Sequence, residues 1–156
     1  MARFCGTISV DRTPEEVFAY LSDFSNVADW EPSVTSARRR GRGRIRTGSV
    51  FEVSLGFLGR PLELEYHVTE IESPRRIVFE ADADGFRSID TIRIESRPGG
   101  RSRVVYDARI QLQGLRIIFD GALQLAFGVV GNQALRGLRR AFSDETAREP
   151  DPVRTN

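Results

Sequence analysis

A single carboxylate on an apolar strand face is the strongest candidate for chemistry in this sequence. Asp90 shares the i, i+2 positions of its strand with Ile92 and Ile94, so a sheet would bury it beside them. A buried carboxylate must be paired, hydrated or shifted in pKa. Asp90 could therefore serve as a polar anchor or a general base. Alternatively, it could lie near the strand end and reach water or Arg87 as an ordinary ion pair.

Two tyrosines are expected on the same buried side of the sheet. Tyr66 alternates with Glu65 and His67, and Tyr106 alternates with Val105 and Asp107. A buried tyrosine hydroxyl needs a hydrogen-bond partner. These two could orient a carbonyl or hydroxyl of a ligand, or they could bond each other or a water molecule.

The lone histidine and the lone cysteine offer little chemistry. His67 falls on the polar face of its strand, where we expect it to be exposed and without a functional role. Cys5 lies in the first predicted strand, a position that favours a small buried hydrophobic side chain over a reactive thiol. One histidine and one cysteine cannot supply a two-histidine or a thiolate zinc site. We therefore expect no metal and no cofactor.

The first part of the chain predicts one strand and two short helices. Residues 4–10 form the strand, and Thr13 with Pro14 and Glu16 makes a capping box that begins a helix. A second, shorter helix is expected over residues 26–30, ended by Pro32. Alternation of apolar and polar residues, separated by short turns, then predicts a meander of strands over residues 34–40, 50–57, 62–69, 77–82, 86–96 and 104–111.

A long helix is expected to end the fold, over residues 115–142. Its apolar stripe comprises Phe119, Leu123, Ala126, Phe127, Val130, Ala134, Leu138, Ala141 and Phe142. The interior glycines 121, 128, 131 and 137 each cost roughly 1 kcal/mol relative to alanine. Close backbone approach to the sheet, or room for a ligand, would compensate. Residues 1–142 are thus predicted to form a single domain, and residues 143–156 a disordered tail.

Composition excludes several classes of partner. The 156 residues carry 23 basic and 22 acidic side chains, a formal charge of +1, so bulk charge does not demand a nucleic acid. No apolar run resembles a signal peptide or reaches the ~18 residues of a membrane span. We expect a cytoplasmic location, and the sequence leaves a monomer and a homodimer both open. Six arginines over residues 38–46 could contact phosphate headgroups, although a solvated hairpin tip is the simpler interpretation.

The order of these elements resembles the polyketide cyclase/dehydrase group of the START-like, helix-grip superfamily (SRPBCC). The residues that carry the resemblance are 13–23, Trp30-Glu31-Pro32, Gly59-Arg60, 68–74, Gly99-Gly100 and 104–106. The resemblance implies an α+β helix-grip fold, in which a curved antiparallel sheet of about seven strands surrounds a long C-terminal helix. It also implies a cavity for hydrophobic molecules such as lipids or polyketides. One departure is that residues 62–68 lack the inward cationic side chains that aromatic polyketide cyclases of this group tend to carry.

Three functions remain open from the sequence. The first is a non-catalytic binder or carrier of a small hydrophobic molecule, with a pocket fixed by few polar groups. Its predicted ligand-binding residues are Trp30, Phe51, Leu62, Leu64, Tyr66, Val68, Phe79, Asp90, Ile92, Tyr106, Phe119, Leu123 and Phe127. The second is a cyclase or dehydratase that uses Asp90 as base and Tyr66 or Tyr106 as acid. The third is a membrane-surface or protein-interaction module that uses the arginine hairpin and the uncharged segment of the last helix, residues 121–135.

Overall fold

The computed structural model describes residues 1–57, 59–83, 85–112 and 120–147. Within them, seven strands and a few short helices precede one long helix. The strands are β1 Ala2–Val10, β2 Val34–Arg40, β3 Val50–Phe57, β4 Arg60–Glu72, β5 Arg76–Ala83, β6 Phe86–Arg97 and β7 Arg101–Leu112. The helices are α1 Pro14–Ser22, the 3-10 turn η1 Phe24–Asn26, α2 Val27–Trp30 and α3 Asp120–Ala147.

The sheet is an antiparallel meander that closes its first strand against its last. The strand order is β1-β7-β6-β5-β4-β3-β2, and every neighbouring pair is antiparallel. The seven strands with helices after β1 and at the C-terminus confirm the predicted helix-grip architecture. We call the side on which the helices pack the inner face and the opposite side the outer face.

Local sequence explains where the first helices begin and end. Thr13 caps α1 by accepting from the Glu16 amide, and the Glu16 carboxylate accepts from the Thr13 amide at 2.8 Å, which completes the predicted capping box. Asp23 then accepts from the Ser25 amide and starts η1. The resulting short helical segment brings Trp30 and Glu31 onto the inner face, where both are buried.

Aromatic rings fill the inner face beneath η1 and α2. Phe24 stacks on Phe79 with ring centroids 4.2 Å apart and meets Tyr66 edge-on at 5.0 Å. Phe51 contacts Phe79 at 5.9 Å, and Trp30 meets Tyr106 edge-on at 5.6 Å. Edge-to-face and offset pairs of this kind add to the stabilisation from burial. This part of the interior is therefore packed by the protein's own side chains.

Glycines allow α3 to lie close to β1 and α2, which is the first of the two explanations expected for them. A Cβ at Gly131 would lie 2.2 Å from the Phe4 ring, and one at Gly137 would lie 1.9 Å from the Trp30 carbonyl oxygen. At Gly128, in contrast, a Cβ would meet nothing within 4 Å. Close packing thus offsets the helix cost of Gly131 and Gly137. At Gly128 the structure has space for a larger side chain, so packing does not explain this glycine.

Three details of the sequence interpretation are corrected. Helix α3 continues to Ala147 instead of ending at Phe142, so residues 143–147 are helical; residues 115–119 and 148–156 lie outside the described part. Ala126 is exposed and does not belong to the buried stripe. Cys5 is exposed on the outer face, because the inward positions of β1 are Phe4, Gly6 and Ile8.

Candidate functional site: a buried carboxylate among hydroxyl groups

Asp90 lies on the inner face and binds hydroxyl groups. The Tyr106 hydroxyl donates to Asp90 Oδ1 at 2.5 Å, and the Ser88 hydroxyl donates to Oδ2 at 3.2 Å. Tyr66 in turn donates to the Ser88 hydroxyl at 3.1 Å. We call these four residues the inner polar cluster. Asp90 therefore belongs to this cluster and not to an ion pair with Arg87, which instead binds Glu80 and Asp82.

Sheet register brings the four side chains together from three strands. Ser88 and Asp90 are two residues apart on β6 and so point to the same side. Ala81 of β5 pairs with Ser88 of β6. On its other side, β5 pairs with β4 so that Glu80 lies opposite His67, which places Ala81 opposite Tyr66. Ala81, whose side chain is a single methyl group, therefore lies between Tyr66 and Ser88 in the sheet. On the other side, Tyr106 of β7 reaches back to Asp90.

Burial shifts the titration of the cluster. Loss of water raises the pKa of Asp90, and hydrogen bonds from Tyr106, Ser88 and Tyr66 only partly oppose that change. Burial, followed by the nearby negative charge of Asp90, raises the pKa of both tyrosines well above their ordinary value. Both tyrosines thus keep their protons at neutral pH, so Tyr106 remains a donor to the carboxylate and Tyr66 a donor to Ser88.

A second buried acid, Glu31, lies next to the cluster. It is 9 % exposed at the end of α2 and accepts from the Ser33 amide at 3.0 Å and the Ser33 hydroxyl at 2.9 Å. Burial raises the pKa of Glu31, the Ser33 hydrogen bonds oppose this, and the negative charge of Asp90 adds to the increase. The inner face therefore holds two acids, and no cation among the described residues contributes to either shift.

The predicted ligand-binding residues divide into two groups by burial. Most lie deep in the core at 5 % exposure or less: Trp30, Phe51, Leu64, Val68, Phe79, Asp90 and Ile92. Tyr66 and Tyr106 keep 7 % and 8 % of their surface accessible, and Leu62 and Phe127 are half-buried. Phe119 and the Leu123 side chain lie outside the described part. The members on strands face inward as alternation predicts, and the contact of all thirteen residues with a ligand stays a prediction.

Sequence reasoning missed Ser88 and Glu31. Ser88 could have been found, because it occupies the same i, i+2 face of β6 as Asp90. Glu31 could not, since it follows a four-residue helix and precedes Pro32, where no periodic pattern assigns a side to a residue.

The outer face of the sheet is charged and internally paired. Arg40 bridges Glu52 at 2.6 Å and Glu65 at 2.7 Å, and His67 lies 3.1 Å from Glu65 in its expected exposed position. A surface depression of about 470 Å³ opens among these side chains, with Ser36 and Ser54 along it. Its polar walls distinguish it from the apolar inner face, and it lies away from the inner polar cluster.

The arginine-rich segment forms the predicted hairpin tip between β2 and β3. Arg39 closes it by donating to the carbonyl oxygens of Gly43 at 2.6 Å and Arg44 at 3.0 Å. Gly41, Gly43 and Gly48 all adopt positive φ there.

Among the described residues, no three His, Cys, Asp or Glu side chains are placed to hold a metal ion. In that same part of the chain, no helix is long and apolar enough to cross a membrane.

Comparison with known proteins places the chain in one family. Residues 1–149 match the family model described as polyketide cyclase / dehydrase and lipid transport. No curated protein sequence matches. A START superfamily protein from Mycobacterium smegmatis has a similar structure, with a TM-score of 0.70 at 13 % identity, covering 93 % of this chain and 97 % of that one.

Two further solved structures have the same fold. A protein from Thermus thermophilus aligns with a TM-score of 0.75 at 16 % identity, covering 94 % of this chain and 99 % of that one. The Zhui aromatase/cyclase of a Streptomyces species aligns with a TM-score of 0.70 at 14 % identity, over 94 % of this chain and 93 % of that one. These identities establish a common fold only. Together with the match over 149 residues, they show that the chain belongs to the polyketide cyclase/dehydrase and lipid transport family and has the START-like helix-grip fold.

Proposed function

We propose that the protein binds a small hydrophobic molecule between the inner face of the sheet and its helices, as a non-catalytic binder or carrier. One observation carries this proposal: an otherwise apolar inner face contains a compact hydrogen-bonded polar cluster, the composition typical of a ligand pocket. Few, well-positioned polar groups orient a ligand, and the apolar surroundings supply most of the affinity.

The gradient of burial supports a site at one end of the inner face. Phe51 and Phe79 are fully buried, whereas Tyr66 and Tyr106 keep some accessible surface. Toward the start of β4 and the end of β7, Leu62, Ile110 and Phe127 are only half-buried. We therefore place the ligand beside the two tyrosines, extending toward Leu62 and Phe127.

Native mass spectrometry of the purified protein tests this proposal. We expect retained mass, or uptake from a panel of lipids and polyketide-like compounds. Leu62→Trp should reduce uptake by filling the inner side, whereas Glu63→Trp, on the outward side of the same strand, should not. Absence of binding across the whole panel, or equal uptake by both variants, would contradict the proposal.

A second candidate function is catalysis of the cyclase or dehydratase type. The specific observation that favours it is the 2.5 Å hydrogen bond between Tyr106 and Asp90, an acid with a raised pKa. Asp90 would take a proton from a poly-β-keto substrate, and Tyr66 or Tyr106 would protonate an oxygen. Turnover of a candidate substrate that survives Asp90→Asn would exclude this mechanism.

A further inference from the structure

We infer that the molecule held at this site is a hydrophobic amine, whose protonated nitrogen donates hydrogen bonds to Asp90 and to the oxygens of Tyr66 and Tyr106. This inference rests on the proposed binding function and names the chemical class of its ligand. It is carried by the direction of the hydrogen bonds and by the charge of the groups around them.

Every hydroxyl proton of the inner polar cluster is already committed. Tyr66 donates to Ser88, Ser88 donates to Asp90, and Tyr106 donates to Asp90. Each hydroxyl has one proton and two acceptor lone pairs, and a carboxylate has about four acceptor positions. With Asp90 ionised, the cluster can therefore accept further hydrogen bonds but has no proton left to offer, so it suits a ligand that donates.

The charges around the cluster also favour a ligand that donates hydrogen bonds, and one that carries a positive charge. Asp90 and Glu31 are both buried, and hydroxyl or amide groups are their only hydrogen-bond partners within the described residues. By contrast, Asp107 on the outer face is met by the guanidinium groups of Arg3 and Arg109. A buried carboxylate without a cation is costly. A ligand that brings an ammonium group would supply the missing charge inside the protein.

The same arrangement disfavours two other ligand chemistries. A ketone or ester carbonyl only accepts hydrogen bonds, so it would face the lone pairs of Tyr66, Tyr106 and Asp90. A ligand carboxylate would in addition be repelled by Asp90 and Glu31. A neutral alcohol can donate one hydrogen bond, but it cannot compensate the charge.

Three probes with the same ten-carbon chain separate these chemistries: decylamine, decanol and decanoate. Each is titrated into the full chain at pH 7 by calorimetry, below the concentration at which it self-associates. We expect decylamine to bind at least about tenfold more tightly than decanol, and decanoate to bind weakest. This ranking is measured on the unaltered protein, so it does not depend on any variant folding.

Variants then assign the preference to the cluster. Asp90→Asn keeps the shape of the side chain, and we expect it to reduce the preference for amine over alcohol about tenfold. Glu31→Gln should reduce the preference less. Glu65→Gln is the matched control, because it makes the same change on the outer side of β4, and it should leave the preference intact.

Each alternative outcome has a distinct meaning. Decanol or decanoate binding as tightly as decylamine would overturn the amine inference and leave the binding function standing. A preference for decylamine that persists in folded Asp90→Asn would overturn the assignment to the cluster. Failure of all three probes, together with failure of the lipid and polyketide panel, would overturn both proposals.

Discussion

Asp90 and Asp107 lie on neighbouring strands, on opposite faces of one sheet, and both are almost completely buried, at 4 % and 2 % exposure. Asp90 is met by hydroxyl groups. Asp107 forms ion pairs through Oδ2 with Arg3 Nη2 at 2.7 Å and with Arg109 Nη2 at 3.0 Å. Burial alone would raise the pKa of Asp107, but hydrogen bonds from these arginines and their charges outweigh it and lower that pKa, whereas the pKa of Asp90 is raised.

The contrast shows that the type of partner, more than depth, sets the state of a buried carboxylate. On the outer face the acids are neutralised by the protein itself, and the result is structural. On the inner face two acids keep unused capacity to accept hydrogen bonds. That difference is what marks the inner polar cluster as the functional candidate.

The largest effect is expected from displacing α2, because this helix and the residue after it place Trp30 and Glu31 on the inner face and leave the outer face unchanged. In Gly137→Ala the new Cβ would collide with the Trp30 carbonyl oxygen, 1.9 Å away. We expect the free energy of unfolding to fall by about 3 kcal/mol. Urea denaturation measures it, and Trp30 fluorescence should change in the native state because its contact with Tyr106 is disturbed.

The matched control is Gly128→Ala on the same helix, where a Cβ meets nothing within 4 Å. We expect it to leave stability unchanged or raise it by up to about 1 kcal/mol, because alanine is the better helix former. Equal losses in the two variants would show that contact with Trp30 is not the cause.

A smaller effect, opposite in sign on the two faces, is expected in the pH dependence of stability. The pKa of Asp90 is raised in the folded state, so between about pH 3.9 and that pKa the folded state holds the extra proton. The wild type should therefore lose stability relative to Asp90→Asn as pH rises through this interval, by at most about 1.4 kcal/mol per pH unit. Urea titrations between pH 3 and 8 measure the difference.

Asp107→Asn provides the opposite case. The pKa of Asp107 is lowered in the folded state, so its stabilisation is complete above about pH 3.9 and is lost as pH falls through the folded value. The free energy of unfolding of the wild type should therefore rise relative to that of Asp107→Asn as pH rises toward about 4, and the difference should stay constant above that pH. Parallel pH profiles for the two variants would show that the two carboxylates do not differ as described.

The smallest effect is expected from an exposed ion pair of the outer face. Arg40→Ala removes the bridge between Glu52 and Glu65, but all three side chains contact water, which screens their attraction. We expect no measurable shift of the urea midpoint at physiological salt and a slight loss at low salt. A large loss at high salt would show that the outer network contributes more than its exposure indicates.

Strand periodicity was enough to locate most of the candidate site. Asp90, Tyr66 and Tyr106 were placed inward because every second residue of a strand faces the same side, and the structure confirms that placement. The hydrogen bonds among them could not be predicted, since they depend on how β4 and β7 register with the strands between them. The burial of Glu31 could not be predicted, because this residue lies in the connection between α2 and β2, where tertiary packing sets the direction of a side chain.

Two errors have equally physical causes. Cys5 was expected to be buried from the general habit of cysteine, yet the phase of β1 is set by Phe4 and Ile8, which places Cys5 outward. The apolar stripe predicts the end of α3 at Phe142, whereas the helix continues for five residues beyond it.

Ala81 has a consequence for how relatives with this fold are compared. It carries no polar side-chain atom, yet it lies on the strand between Tyr66 and Ser88, whose hydroxyl oxygens are 3.1 Å apart. We expect a valine at this position, with its larger branched side chain, to separate the two oxygens and detach Tyr66 from the inner polar cluster. Chains that share all the polar residues could therefore differ in what they select, and the cause would be a single methyl-sized neighbour that no inventory of polar side chains includes.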